Sequence, residues 1–191
     1  MPARALGREA AALLGYVCVA LVFAWPLPLR LADAMLGLPN GDAGVYVWNL
    51  WVFRHEIVAN HRLPFLTSEI LALSPPVPLA LHNYTTFANI LAFPLIPLLG
   101  VLKTFNVLVL ASGVMSGYAM YFYARVRTGD AAAAWMGGLL FGFSPFMSAR
   151  AAEHFSLTLA APLPIFGYLT YRIFSRPSLG LACAAGATVA W

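Results

Sequence analysis

Long apolar runs constrain this chain more than any other feature. An α-helix needs about 20 apolar residues to cross the ~30 Å hydrocarbon core of a bilayer. Mostly apolar runs occupy 10–29, 105–124, 131–147 and 155–174, and a shorter one occupies 179–191. Charged residues make up 9% of the chain, against about 25% in ordinary soluble domains. The sequence therefore predicts an all-α, polytopic bundle of transmembrane helices in contact with membrane lipid.

We interpret residues 1–191 as a single transmembrane domain. The first run is longer than the 7–15-residue core of a signal peptide, so we expect a retained helix. The run at 179–191 is too short to cross, so we expect the chain to be truncated. Small residues recur at three- and four-residue spacing, which favours close approach of helix backbones in lipid; they are Ser112, Gly113, Ser116, Gly117, Gly137, Gly138 and Gly142.

The segment 30–104 differs from the rest because it carries many of the charged, histidine and proline residues. Its apolar part, 87–102, is short and contains Pro94 and Pro97. Such a run is typical of a re-entrant or interfacial helix rather than a crossing. A second helix, starting near Gly41, is predicted to lie flat on the membrane with Trp48 and Trp51 at the headgroup level.

The arginines indicate the orientation. If 87–102 does not cross, one side of the membrane carries Arg4, Arg8, Arg125, Arg127, Arg172 and Arg176, and Arg150 lies opposite. If it does cross, the basic residues divide evenly. The positive-inside rule favours the first arrangement. We therefore expect a bacterial inner-membrane protein with a cytoplasmic amino terminus, an external loop over 30–104 and an external turn over 148–154.

That topology places two sets of polar residues on the external face of the membrane. On a helix starting near Gly41, Asp42, Asn49 and Glu56 share a face because they are seven residues apart, and Tyr46 adjoins them. The second group, in the external turn, is Arg150, Glu153 and His154. Because a charge at the bilayer centre costs about 2.5–3.5 kcal/mol, these side chains should lie at the interface or line a cavity, where they could face Asp42.

Simpler interpretations of these residues stay open. Asp42 follows Asn-Gly at a helix start, which suits an amino-terminal cap. Arg150 and Glu153 are three residues apart and could pair with each other. Nucleic acid is not an expected partner, since the basic residues sit at the ends of apolar runs rather than in a patch.

The order of these features resembles the GT-C class of membrane glycosyltransferases. That class includes protein O-mannosyltransferases, aminoarabinose transferases and the catalytic subunits of oligosaccharyltransferases, and the nearest likeness is to bacterial multi-span members. The resemblance rests on Gly41-Asp42 with Tyr46, Trp48 and Trp51, on the proline-rich stretch 74–78, and on Ser144-Pro145-Phe146 with Glu153-His154. It implies a GT-C-like fold whose long external first loop contains interface helices.

The resemblance also implies a function. The protein would move a sugar from a polyprenyl-phosphate donor to an external acceptor, with Asp42 as the general base. Arg150, Glu153, His154, Asn49 and Tyr46 would bind substrate, with Arg150 on the donor phosphate. Glu153 and His154 are also the candidate ligands of a divalent metal, Mg²⁺ or Mn²⁺. The chain departs from the pattern at Ala43, where members often carry a second acidic residue.

Two other classes of function remain. One is a transporter or flippase fragment, but the apolar runs lack the midplane charges that such proteins use. The other is a non-catalytic membrane scaffold or degenerate paralogue in which Asp42 only caps a helix. The single acidic residue at the start of the loop favours this second alternative.

Overall fold

The computed structural model describes residues 3–37, 41–70, 76–79 and 82–189. It is mostly helical, with 73% helix and 2% strand. Residues 74 and 75 of the proline-rich stretch, and the last two residues of the 179–191 run, lie outside the described part. The helices are α1 (Ala3–Phe23), α2 (Ala43–Val58), α3 (Thr86–Ala92), α4 (Ile96–Leu99), α5 (Val101–Thr128), α6 (Ala131–Gly142), α7 (Pro145–Glu153), α8 (Phe155–Thr158), α9 (Pro162–Ser175) and α10 (Leu179–Val189).

Three helical stretches are long and apolar enough to cross a membrane: Leu6–Phe23, Val101–Thr128 and Ala131–Glu153. They correspond to the first three predicted crossings, at 10–29, 105–124 and 131–147. The first starts earlier than predicted and α1 ends at Phe23, followed by a 3₁₀ turn at Leu27–Leu29. Pro26 and Pro28 account for this early end because proline cannot donate a helical hydrogen bond.

The third stretch is not one uniform helix. It contains α6 and α7, and Phe143 and Ser144 separate them. Ser144 caps α7, since its hydroxyl oxygen accepts a hydrogen bond from the Met147 amide at 3.2 Å. Pro145 suits the first position of α7, where the missing amide costs nothing.

The predicted fourth crossing, 155–174, also differs from the structure. It is divided into α8 and α9, and α9 has 14 residues, which is about 21 Å at 1.5 Å per residue. Pro162 lies in the first turn of α9 and Pro164 follows it, so the helix cannot extend backwards through them. The segment 87–102 is divided among α3, α4 and the first two residues of α5, with Pro94 between α3 and α4.

Helix α5 is the centre of the bundle, packed against α1, α6 and α9. At one end of the bundle Arg125 Nη1 of α5 lies 2.9 Å from Glu9 Oε1 of α1. At the opposite end, near the start of α5, Asn106 Nδ2 donates to the carbonyls of Leu31 and Ala34 at 2.9 and 2.8 Å. Helices α1 and α5 are therefore antiparallel. The segment between them, which contains α3 and α4, returns the chain to the same end of the bundle at which α1 finishes.

Glycines allow α5 and α6 to touch through their backbones. A Cβ added to Gly142 would lie 2.6 Å from the Gly113 carbonyl oxygen and from the Gly117 nitrogen. A Cβ added to Gly138 would collide with the Gly117 carbonyl and with the ring of Tyr16. The predicted close approach through small residues is thus present in the structure.

Helix α2 belongs to a second core, beside the beginning of α5. Ala43, Tyr46 and Leu50 pack with residues of α3, α4 and the first turns of α5. Trp51, predicted to lie at the headgroups, is 38% exposed and stacks on His55 with 4.7 Å between ring centroids. This core fixes the position of Asp42, which directly precedes α2.

A buried carboxylate anchors the loop that follows α2. Glu56 is fully buried. Its Oε1 accepts from Thr67 at 2.8 Å, and its Oε2 accepts from Asn60 at 3.0 Å and from the Arg62 guanidinium at 2.9 Å. Thr67 lies in β1 (Leu66–Thr67), which pairs antiparallel with β2 (Val77–Pro78). Burial alone would raise the pKa of Glu56, but these donors outweigh it and hold the pKa below its usual range.

Candidate functional site

Asp42 occupies the N-cap position of α2 but does not behave as a cap. Its backbone is right-handed helical, with φ −68° and ψ −13°, and within the described structure its side chain makes no capping hydrogen bond. A capping aspartate normally has extended dihedrals and accepts from an amide two or three residues on. Ser144 and Asp130 do so at α7 and α6. The Asp42 carboxylate, 54% exposed, is therefore available for other contacts.

The structure brings Asp42 to the end of α7. The Asp42 amide donates to Glu153 Oε2 at 3.3 Å, and Asp42 Oδ2 lies 3.9 Å from His154 Nε2. These contacts join segments 111 residues apart in the chain. We expected from the sequence that the turn over 148–154 could face Asp42, and the structure brings the two segments into contact. We call Asp42, Arg150, Glu153 and His154 the polar cluster.

Arg150 joins the polar cluster through His154. Its Nη1 lies 3.3 Å from His154 Nδ1, and its guanidinium lies over the Phe146 ring, 5.5 Å from the centroid. Arg150 is in the last turn of α7, where a positive charge complements the helix dipole. The cluster therefore contains two carboxylates, one guanidinium and one imidazole on a single surface.

Two glycines let the loop before α2 approach α7 so closely. Gly37 has φ +127°, and a Cβ there would lie 2.5 Å from the Ala152 carbonyl oxygen. A Cβ at Gly41 would lie 2.9 Å from Glu153 Oε1 and closer still to Oε2. Gly41 was part of the sequence prediction, whereas Gly37 was not recognised, because nothing in the pattern around it marks a contact with α7.

Tyr46 and Asn49, both predicted to bind substrate, lie beneath the surface instead. Tyr46 is 1% exposed; its hydroxyl is 3.1 Å from Ser156 Oγ and accepts from Asn83 Nδ2. Asn49 is fully buried, and its Nδ2 donates to the Asn83 carbonyl at 2.7 Å. Asn49 thus holds the segment before α3 in place, which differs from its predicted contact with substrate. The shared face of Asp42, Asn49 and Glu56 is likewise divided, with Asp42 exposed and the other two buried.

Asn83 and Ser156 are site-forming residues that the sequence did not reveal. Asn83 belongs to an Asn-Tyr-Thr triplet in the long loop, and Ser156 lies in α8 after His154. Asparagine and serine are common in polar loops and turns, so neither residue is distinguished by its type. Their proximity to Tyr46 depends on how α2, α3 and α8 pack together, which the hydropathy pattern does not specify.

An apolar cavity of about 90 Å³ lies next to the polar cluster. Helices α1, α5, α6 and α7 all contribute to its wall, including Phe23, Val109, Phe143, Met147 and Ala151. Ala151 follows Arg150 directly on α7. The cavity therefore reaches the last two turns of α7, the helix that carries Arg150 and Glu153.

Glu153 and His154, the predicted metal ligands, lie in the polar cluster beside Asp42. Among the described residues, no group of three or more His, Cys, Asp and Glu side chains is arranged to hold a metal ion. In addition, the Arg150 guanidinium beside His154 places a positive charge where a cation would bind. The assignment of Glu153 and His154 to Mg²⁺ or Mn²⁺ stays a prediction, and no chemical step below depends on it.

Comparisons with known proteins do not assign the chain to a family. A scan against protein-family models, a search of curated proteins and a search of solved structures each gave no match. The GT-C resemblance accordingly rests on the residues that suggested it. What the site can do must be argued from its geometry.

Proposed function

We propose that the protein is a membrane glycosyltransferase that moves a sugar from a polyprenyl-phosphate donor to the hydroxyl of an external acceptor. The observation that carries this proposal is the contact of Asp42 with Glu153 and His154 at one end of the bundle. It supplies an available carboxylate, a nearby guanidinium and an adjacent apolar cavity. Sugar transfer from a lipid phosphate requires a base, a positive charge for the phosphate and an apolar surface for the lipid.

In the proposed reaction Asp42 accepts the proton of the acceptor hydroxyl. The acceptor oxygen attacks the anomeric carbon and forms the new glycosidic bond, while the bond from that carbon to the phosphate oxygen breaks. The electron pair leaves with polyprenyl phosphate. A positioned carboxylate base typically contributes 10²- to 10⁴-fold to the rate of such a step.

Arg150 is proposed to bind the departing phosphate. A guanidinium can donate two parallel hydrogen bonds to phosphate oxygens and stays charged at any physiological pH. Phe146 and His154 hold its position on α7. As negative charge develops on the phosphate in the transition state, a pre-positioned positive charge stabilises it.

Glu153 and His154 are proposed to position Asp42 and the acceptor. Glu153 accepts the Asp42 amide hydrogen bond, which fixes the backbone from which the base projects. His154 lies between Asp42 and Arg150, with one ring nitrogen towards each. It can therefore orient both groups without itself contacting the anomeric carbon.

The membrane supplies the donor. The polyprenyl chain would lie against the apolar surfaces of α1 and α6 and enter the cavity beside Ala151. We infer an external site in the bacterial inner membrane from the arginine distribution, with the amino terminus in the cytoplasm. The scaffold alternative is weakened because Asp42, which that alternative treats as a cap, makes no capping bond within the described structure.

Transfer from a lipid donor in reconstituted vesicles tests the proposal. The protein would be supplied with a polyprenyl-phosphate-linked hexose and a pool of hydroxyl acceptors, and the release of polyprenyl phosphate would be followed. We expect release by the wild type and at least a 100-fold slower release by Asp42→Asn and Arg150→Gln. Equal release by all three proteins would refute the assignment, and donor movement across the bilayer without release would favour a flippase.

A further inference from the structure

A second cavity, separate from the apolar one, lies between the segment that forms α3 and the segment that follows His154. Its volume is about 360 Å³, which is within the 300–1,000 Å³ range of small-molecule sites. Residues before α3 and in α3 itself form one wall, and Ser156 of α8 and Leu159 form the other. None of the roles proposed for the polar cluster requires it.

The lining of this cavity is polar but carries no acidic or basic side chain among its described residues. Hydroxyl and amide groups come from Asn83, Thr85, Thr86 and Ser156, whereas the Tyr84 hydroxyl is itself buried. Such groups both donate and accept hydrogen bonds, as sugar hydroxyls do. A phosphate or carboxylate would instead call for a guanidinium or an ammonium. The chemistry of the lining therefore matches an uncharged, hydroxyl-rich ligand.

The wall of the cavity is held rigidly. The buried Tyr46 hydroxyl is 3.1 Å from Ser156 Oγ and accepts from Asn83 Nδ2, so it joins the two walls. Asn49 fixes the Asn83 backbone from below. A site whose polar groups are already positioned loses little entropy on binding. Phe87 adds an apolar ring to the lining, against which the C–H face of a sugar can pack.

The cavity is also close to Asp42. Tyr46 is four residues after Asp42 on α2, about 6 Å along the helix axis. Ser156 is two residues after His154. One wall of the cavity is thus continuous with the segment that carries His154, and the other is hydrogen-bonded through Asn83 to α2, which begins directly after Asp42.

We infer that this cavity binds the uncharged ring of a sugar and presents it to the polar cluster. The inference rests on the proposed function for its biological meaning, but sugar binding can be measured without transfer. The ring could belong to the lipid-linked donor or to a glycan acceptor, since both have the same hydrogen-bonding chemistry.

Binding of methyl glycosides in nanodiscs tests the inference. Methyl glucoside, mannoside, galactoside and arabinoside would be tested by saturation-transfer difference NMR on protein prepared without glycoside detergents. We expect at least one to bind. Thr85→Val, which removes a hydroxyl and keeps the shape, should weaken that binding about 3- to 10-fold. Ser156→Leu, which fills the cavity, should weaken it more than 10-fold. Ser175→Ala, at the other end of the bundle, is the control and should bind normally.

A competition experiment distinguishes a ring that belongs to the lipid-linked donor from one that belongs to the acceptor. If the ring is the donor's, a polyprenyl-phosphate-linked hexose displaces the methyl glycoside and polyprenyl phosphate alone does not. If it is the acceptor's, neither displaces it. The inference is overturned if no glycoside binds the wild type, or if Thr85→Val and Ser156→Leu bind as tightly as the wild type. Binding that depends on Ser156 in a protein without transfer activity would leave the cavity assignment intact and remove the proposed function.

Discussion

Replacing Gly138 by alanine should separate α5 from α6. The added Cβ would lie 2.8 Å from Cζ of Tyr16, with the Gly117 carbonyl oxygen nearer still, whereas ordinary contacts begin at 3.4 Å. The neighbours must therefore retreat by at least about 0.6 Å, and a gap of 0.5–1 Å forfeits a quarter to a half of each dispersion contact. Overpacking of this kind typically costs about 1–3 kcal/mol.

Gly137→Ala is a matched control one residue away. Its Cβ would meet only Ala124 Cβ, at 3.8 Å, an ordinary contact. This variant should gain up to ~1 kcal/mol, since alanine forms helix better than glycine. Thermal unfolding in detergent, followed by tryptophan fluorescence, should place Gly138→Ala below the wild type and Gly137→Ala at or above it. Equal midpoints for the two variants would refute backbone contact between α5 and α6.

Three further predictions concern the parts that position the site. Glu56→Gln should destabilise the folded loop after α2 by about 1–3 kcal/mol, because it removes a buried charge that accepts hydrogen bonds from three side chains. Limited proteolysis between residues 59 and 70 should become faster. The control variant Glu69→Gln should not show this effect. The pKa of Glu56 is lower in the folded protein than in the unfolded chain. The ionised side chain therefore stabilises the fold above the unfolded-state pKa of about 4.3, and this stabilisation is lost as the pH falls through the folded-state pKa. In a pH series of the same proteolysis, Glu56→Gln should lack this acid-dependent increase in cleavage. Asn106→Leu should destabilise the fold by about 1–3 kcal/mol, because the Leu31 and Ala34 carbonyls lose their hydrogen-bond donor. The unfolding midpoint should fall. A midpoint equal to that of the wild type would show that these two hydrogen bonds do not contribute to stability. Reporter fusions after Thr128 and after His61 should report opposite sides of the membrane, cytoplasmic and external respectively; the same side for both would exclude the proposed topology.

The sequence was most informative where hydropathy alone decides the structure. The first three crossings and the glycine contacts between α5 and α6 correspond to apolar runs and to small residues at helical spacing. Pro94 also explains why 87–102 contains two short helices before α5 rather than one long one; that this segment does not cross the membrane stays a prediction. The division of 155–174 into α8 and α9 was not predicted, although Pro162 and Pro164 mark it, since mean hydropathy does not register a missing amide.

The site was predictable only in part. The arginine distribution indicated that Asp42 and the turn containing Glu153 and His154 share one face of the membrane, and the structure places them in contact. Seven-residue spacing also suggested that Asn49 lies beside Asp42. Instead Asn49 is buried against the Asn83 backbone, because the residues before α3 cover that side of α2. A pattern within one helix cannot indicate which distant segment will cover it.

The central claim is that Asp42 is the base that accepts the acceptor's proton. The most direct measurement is the single-turnover rate of sugar transfer from a bound polyprenyl-phosphate donor, comparing Asp42→Asn with Asp33→Asn. Asp33 is the matched control because it is an exposed carboxylate in the same loop, 2.7 Å from Arg30. We predict a loss of at least 100-fold for Asp42→Asn and an unchanged rate for Asp33→Asn. Equal rates for the two variants, with donor still bound, would contradict the assignment of Asp42.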